Sequence, residues 1–386
     1  MPARSRLSFR LGARALGLLA SLAMAEVGLR ILAPQPTGPV ALAPDPDVGV
    51  MPRASFSGRK KIPGVYDYRF SHTADGLRDT PASVPDASAP EVLILGDSFT
   101  YGVGVNDEET FASRIAEGLA ARGTPVHVRN GGRPGAAPDY ALRLLRARDW
   151  QPAVIVYAFY ANDFADLQRE DYFARDSADS LQPIPVQLPA RERLKLRLSR
   201  VPGADALRSH SHVVGLLGRS LALARGRDGP APGAFDLDTL ATPVHAAREP
   251  QASRAADYLR RLRDETHHRG GRFVAVFLPS AAQVAAYRRT GQPSADEAAF
   301  LRILASLGTD GFTLAPALAS TDWPIAALYF PETHWRPEAH TIAARAMLDP
   351  IQAALCVRDT ALAGCATAPP DVRRIVAMRV GSGSGA

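Results

Sequence analysis

The stretch "LILGDSFTYGVGV", residues 93–105, decides how this chain is read. An apolar run stops at Gly96-Asp97-Ser98 and passes at once into a loop containing two glycines. A buried strand that ends abruptly on a small polar residue puts that side chain on the rim of its sheet. In open α/β sheets the rim at the strand C-termini is where ligands bind. Ser98 is therefore a candidate nucleophile, and the rest of the chain has to supply a base and an oxyanion site.

Outward from this stretch the pattern alternates. The strand at 91–95 is followed by a helical segment at 110–122, a strand "PVHVRN" at 125–130, a helix at 139–149 and a strand "AVIVYAF" at 153–159. The alternation resumes with a helix over 252–268, a strand "RFVAVFLP" at 272–279, helices near 281–289 and 295–306, and a last helix over about 337–354. Strands alternating with amphipathic helices predict an α/β fold, a three-layer sandwich around a mostly parallel central sheet. The expected division is a leader at 1–33, an extended lead-in at 34–90 able to add an edge strand, the α/β domain at 91–163 and 251–356, a cap insertion at 164–250 and a tail at 357–386 ending in the flexible "GSGSGA". The insertion holds "SLQPIPVQLP", "RERLKLRLSR", "HVVGLLGRSLALA" and the Gly/Pro-rich "RGRDGPAPGAF", and is too long for a loop within a compact sheet. It reads as a helical cap beside the active site or against a membrane surface, or as a solvated insertion.

The formal charge of +6 sits largely at the N-terminus, where Arg4, Arg6, Arg10, Arg14 and Arg30 face only Glu26. The body is nearly neutral, so no nucleic-acid partner is expected. The uncharged stretch 15–25, then a second apolar piece ending at Pro34, reads as a membrane-anchor helix, as a signal peptide cleaved after Ala23-Met24-Ala25, or as an ordinary helix. In either of the first two cases the body is exported, to the cell envelope facing the periplasm or exterior. In such a compartment Cys356 and Cys365, the only cysteines, are expected to form a local disulfide, the alternative being two buried thiols. No metal site is expected, the adjacent His267 and His268 included. There is neither a G-x-G-x-x-G nor a G-x-x-x-x-G-K-[ST] fingerprint, so no nucleotide cofactor is expected.

Four segments meet the needs of a nucleophilic serine in chain order: Gly96-Asp97-Ser98; "NGGRPG" (130–135), whose glycines permit a tight turn with N–H groups facing a ligand; "YAND" (160–163), bringing the amide of Asn162; and "ETHW" (332–335), presenting His334. Taken singly each has a plain structural reading as a cap, turn or surface residue. Together they resemble the SGNH (GDSL-type) hydrolase superfamily, over about 91–354 without the cap. The resemblance implies an SGNH/flavodoxin-like fold and a serine esterase or O-acyltransferase without cofactor or metal. Ser98 would be the nucleophile and His334 the general base, with an oxyanion hole from the Ser98 N–H, the Gly135 N–H and the Asn162 amide. The helix at the N-terminus, "GDSFTYGVGV", "FYANDF" and "YFPETHWRPEAH" look like exported bacterial members related to the SGNH-like domains of alginate O-acetyltransferases. That implies an ester substrate such as an O-acetylated glycan or a lipid, and a membrane contact through the N-terminal helix. A catalytically silent glycan-binding protein on the same fold is the reading from a different class.

The family usually orients its histidine with an aspartate two or three positions earlier. Here Pro331 and Glu332 stand there, and Glu332 is the expected third member. Asp97 is expected to be structural, holding backbone N–H groups. His340 reads as a packing residue, and Trp335 as either a pocket wall or core.

Overall fold

The computed structural model describes residues 3–84, 86, 88–167, 172–175, 181–186, 188, 190–223, 249–359, 362–366 and 368. The Gly/Pro-rich stretch 225–235 and the tail 371–386 lie outside the described residues.

The lead-in pairs with itself. It forms the antiparallel hairpins β1 (Leu42–Asp45) with β2 (Gly49–Pro52), and β3 (Ser57–Ile62) with β4 (Tyr66–Ser71). Among the described residues it meets the central sheet's edge through one β-bridge, Arg78 to Asn130, and through contacts such as the Val128 N–H donating to the Ser83 hydroxyl (2.8 Å), instead of an added edge strand. The central sheet takes β5 (Glu91–Gly96), β6 (His127–Gly132) and β7 (Val154–Tyr160). After a small hairpin, β8 (Phe173–Arg175) with β9 (Leu181–Pro183), it is completed by β10 (Arg272–Leu278) and β11 (Asp310–Thr313). All its neighbours are parallel, in the order β11-β10-β7-β5-β6.

Strand side chains point alternately to the two faces, and both faces here are apolar. Val92 and Ile94 of β5, Val154, Val156 and Ala158 of β7, and Val274 and Val276 of β10 enter one core. Leu93 and Leu95, Ile155, Tyr157 and Phe159, and Phe273, Ala275 and Phe277 enter the other. Continuous apolar runs are therefore required, since each strand feeds two cores.

In chain order the helices are α1 (Ala3–Leu32), α2 (Ser98–Tyr101), α3 (Phe111–Ala121), α4 (Pro138–Arg146), α5 (Asp163–Asp166), α6 (Ala190–Leu198), α7 (Ala204–His210), α8 (His212–Leu223), α9 (Glu249–His268), α10 (Ala281–Thr290), α11 (Ala295–Leu307), α12 (Ala315–Ala319), α13 (Ile325–Leu328), α14 (Pro337–Arg358) and α15 (Ala363–Ala366). Residues of α3 and α14 fill the first core and residues of α4, α9 and α11 the second, which gives the three layers. Cys356, at the end of α14, is disulfide-bonded to Cys365 in α15.

The chain leaves β5 for β6 on one side and reaches β7 on the other, so the strand order reverses at β5. That reversal opens a crevice beyond the strand's C-terminal end, directly at Ser98. Within 164–250 the described residues form the β8–β9 hairpin and helices α6 to α8, with α9 beginning at Glu249.

Helix α1 is long enough to cross a bilayer. Its segment Phe9–Leu32 has a mean hydropathy of 1.7 over its best window, which is unburied. It packs against α8, where the Glu26 carboxylate accepts from the N–H groups of His212 (2.8 Å) and Val213 (3.0 Å) and from the Ser211 hydroxyl (2.9 Å). Glu26 thus caps a helix of the insertion.

Candidate active site

Ser98 opens the single turn α2. Asp97 caps that turn, its carboxylate accepting from the Phe99 N–H at 2.9 Å, and Gly102 ends it in a left-handed conformation with φ 80°. The turn is pinned from below by Asn130, whose amide donates to the Thr100 carbonyl (2.8 Å) and whose carbonyl accepts from the Gly132 N–H (3.0 Å). Gly132 is required by proximity: a Cβ there would lie 2.2 Å from the Tyr101 nitrogen. From the lead-in, Arg78 is fully buried and binds Asp107 together with the carbonyls of Tyr101 (3.2 Å), Gly102 (3.3 Å) and Val105 (2.8 Å). One guanidinium therefore holds the loop that follows the serine. The sequence reading did not single out Arg78, because a lone arginine in a polar lead-in looks like a solvated one.

His334 reaches Ser98 from the loop between α13 and α14. Its Nε2 is 2.8 Å from Ser98 Oγ and its Nδ1 is 3.1 Å from Glu332 Oε1. With the ring proton on Nδ1 donated to Glu332, Nε2 is free to accept from the serine hydroxyl. The loop is closed by the Phe330 N–H donating to the His334 carbonyl (2.8 Å) and the Thr333 N–H donating to the Phe330 carbonyl (2.9 Å). Thr333 sits at φ 91°, a region that β-branched residues avoid, so Glu332 and His334 flank a strained residue. Trp335 is wholly buried, edge-on to Phe99 with ring centroids 5.3 Å apart, and belongs to the core. His340 is buried, stacks on Phe111 and accepts from the Phe111 N–H at 3.2 Å. Burial pushes its pKa down to about 3, so it stays neutral.

Gly135 takes φ 73° in the turn after β6, and neither its N–H nor that of Ser98 meets an acceptor among the described residues. Both residues line one cavity with His334, of about 1120 Å³. Asn162 stands at the same end of the sheet, two residues beyond β7, but it is exposed and outside the described lining. Its amide donates to Asp166 at 3.1 Å. Beneath the site lie two buried carboxyls. Burial raises Asp97 to about 6, against the opposing effects of the Phe99 N–H and the His334 charge. Burial and then the Asp97 charge raise Asp163 well above the usual carboxylate range. It accepts from the Tyr157 hydroxyl (2.9 Å) and the Tyr160 N–H (3.3 Å).

The cavity's walls come from outside the α/β core: Lys60, Tyr66, Tyr68 and Phe70 from the β3–β4 hairpin, and Ile184, Val186, Leu188, Lys195, Leu196 and Arg208 from the insertion. Lys60 is half-buried, and burial pushes its ammonium down while the Glu332 charge works against that. Glu332 Oε2 is buried with no hydrogen-bond partner among the described residues. Among the described residues no group of three or more His, Cys, Asp or Glu is arranged to hold a metal ion.

A serine hydroxyl, an imidazole and a carboxylate in line at the C-terminal edge of a parallel sheet define a serine-hydrolase type of site. The model of the GDSL-like Lipase/Acylhydrolase family matches residues 94–301, more than half of the chain, and the chain belongs to that family. It is thereby an SGNH-type serine esterase. The matched span ends before Glu332 and His334, which join Ser98 only in three dimensions. Among solved structures the chain is similar to TesA, at 12% identity over 69% of this chain and 97% of that one, with a TM-score of 0.37. It is also similar to Axe2, an acetylxylan esterase from Geobacillus stearothermophilus, at 14% identity over 68% and 94%, with a TM-score of 0.36. A lipase/acylhydrolase from Enterococcus faecalis is similar at 13% identity over 68% and 95%, with a TM-score of 0.35. No curated protein matches.

Proposed function

We propose that this chain hydrolyses an ester through an acyl-serine on Ser98, outside the cytoplasm and tethered by α1. The observation that carries this is the unbroken line Ser98 Oγ, His334, Glu332. His334 Nε2 takes the Ser98 proton as Oγ bonds to the ester carbonyl carbon. The negative charge on the carbonyl oxygen falls to the free N–H groups of Ser98 and Gly135. The C–O bond to the alcohol then breaks, and the alcohol leaves with the proton held by His334. Water, deprotonated in turn by His334, releases the acid and restores the serine. Asn162 is the third donor once its amide turns from Asp166. Catalytic hydrogen bonds tighten when substrate arrives. Glu332 fixes the imidazole and balances its charge in the transition state.

The cavity leaves room for an acceptor beside an acyl group, and the same residues would serve an O-acetyltransferase of the kind the alginate O-acetyltransferase resemblance implies. A hydroxyl compound excluding water would then resolve the acyl-enzyme. The substrate class is an O-acylated glycan or lipid of the cell envelope. The capping of α8 by Glu26 supports α1 as a retained anchor, since it ties the helix to the insertion that walls the cavity.

A fluorophosphonate probe applied to the full chain, with peptide mapping beside Ser98→Ala, tests the assignment. Labelling confined to Ser98 is expected. A folded, unlabelled protein would leave the silent, ligand-binding reading in its place. Free acid released, against acyl transferred to an added glycan, separates hydrolysis from transfer.

A further inference from the structure

We infer that the ester taken by this site carries an anionic group, a carboxylate or a phosphate, seated against Lys60 and Arg208 inside the cavity that holds Ser98. This rests on Ser98 being the nucleophile. Four cationic residues line that cavity, Lys60, Arg133, Lys195 and Arg208, and no aspartate or glutamate does among its described lining.

The alternation along β3 shows that Lys60 is set apart from its neighbours. Arg59 and Lys61 face outward and both pair with Asp67, whereas Lys60 between them faces the cavity. Among the described residues the Lys60 ammonium makes no hydrogen bond or ion pair and lies 5.9 Å from the centre of the Tyr66 ring. The Arg208 side chain likewise meets no acceptor among them, while its backbone carbonyl accepts from the Gly38 N–H at 3.2 Å. Arg133 is buried and stacked on Tyr140 at 4.0 Å, and the acceptors it meets are neutral: the Tyr172 hydroxyl (3.0 Å) and the carbonyls of Pro134 and Gly135 (3.3 Å each). Its Nε is buried without a partner among the described residues.

Glu332, whose charge acts on Lys60, lies outside the described lining and is hydrogen-bonded to His334 through Oε1. Cations gathered in a half-enclosed space repel one another and are poorly solvated, and an anion bound among them relieves both costs. Apolar walls such as Val186 and Leu196 take the remainder of the molecule. The catalytic residues would treat a neutral ester in the same way; the anionic preference comes from residues the chemistry does not use.

The test compares 4-acetoxybenzoate with the neutral 4-acetoxybenzamide on the full chain in a neutral detergent, each kcat/KM divided by that ester's alkaline hydrolysis rate. A preference of about tenfold for the carboxylate is expected at low ionic strength. It should shrink toward one at about 0.5 M NaCl. Lys60→Met and Arg208→Met should each lower the ratio several-fold, and Arg208→Glu should invert it. Arg208 lies on the insertion and Lys60 on the lead-in, so either variant reports if the other fails to fold. Repeating the comparison with 4-acetoxyphenyl phosphate separates the sources of the charge. A larger preference for phosphate points to a phospholipid headgroup, and a larger one for carboxylate to a sugar acid. Fluorophosphonate labelling is followed in parallel. Labelled protein with ratios near one for both anions overturns the anionic inference alone, and unlabelled folded protein overturns the Ser98 reading beneath it.

Discussion

The two halves of the cavity are made in different ways. In the proposed mechanism the reacting half comes from the ends of strands and the loop before the last helix: Ser98 after β5, Gly135 after β6, and His334 with Glu332 ahead of α14. The enclosing half comes from the lead-in hairpin and the insertion, neither of which belongs to the sheet. A rigid, doubly buried sheet fixes atoms to the tolerance that proton transfer needs. Segments packed on its edge are free to set shape and charge. Changes in the first half should therefore reach turnover on every ester, and changes in the second should discriminate between esters.

The sharpest way to break that division is at the reacting atoms. Ser98→Ala and His334→Ala should each lower kcat by at least about 10⁴-fold on neutral and charged esters alike. Turnover on p-nitrophenyl acetate by the purified variants gives the answer; an unchanged rate in Ser98→Ala would place the chemistry elsewhere. Glu332→Gln comes next. The amide oxygen still accepts from Nδ1, so the ring stays oriented, but the charge that balances the imidazolium is lost, and kcat should fall by about 10²-fold. A loss within twofold would reduce the site to a serine-histidine dyad.

Arg78 blurs the division, since it belongs to the lead-in yet holds the loop after the nucleophile. Arg78→Met leaves Asp107 and three loop carbonyls without their partner in a buried place. The expected loss is about 3 kcal/mol of stability, read by chemical denaturation. Turnover of the surviving fold should fall as well. Arg78→Lys should recover little, because a single ammonium cannot span Asp107 and the carbonyls of Tyr101, Gly102 and Val105.

This contrast also separates what was legible in the sequence from what was not. β5, β7 and β10 are continuous apolar runs because both their faces are buried, and runs of that kind announce themselves. The four motif segments were readable for a related reason: each follows a strand or precedes a helix, so local order placed them on one rim. β11 was missed, because Asp310–Thr313 is short, polar and flanked by β10 alone. The β3–β4 hairpin falls within the lead-in expected to be extended, although Tyr66, Tyr68 and Phe70 alternate with exposed residues at the strand period. The inward face of Lys60 depends on that hairpin's register, and the burial of Arg78 depends on how the lead-in packs. No local pattern reports either. Asn162 was placed on the right rim, but its bond to Asp166 rests on a side-chain rotamer that sequence does not determine.

The smallest effect expected lies beneath the nucleophile and would sharpen the view of the sheet rim as a fixed platform. Asp97 ionises near 3.8 when unfolded and, raised by burial, near 6 in the fold. Between those values the folded state keeps a proton that the unfolded state has released. The stability of the fold should therefore fall as pH rises from about 4 to about 6, by an amount on the order of 2 kcal/mol from this group. Asp163, raised in the same direction, adds to the slope. Asp97→Asn retains an acceptor for the Phe99 N–H and removes the titration, so its unfolding free energy should vary less across that window than that of the unaltered chain. Denaturation curves of both proteins at pH 4, 5 and 6 decide the matter. Parallel slopes would mean that Asp97 is already ionised in the fold at pH 4, and that the nucleophile's turn stands on a buried negative charge instead of a neutral acid.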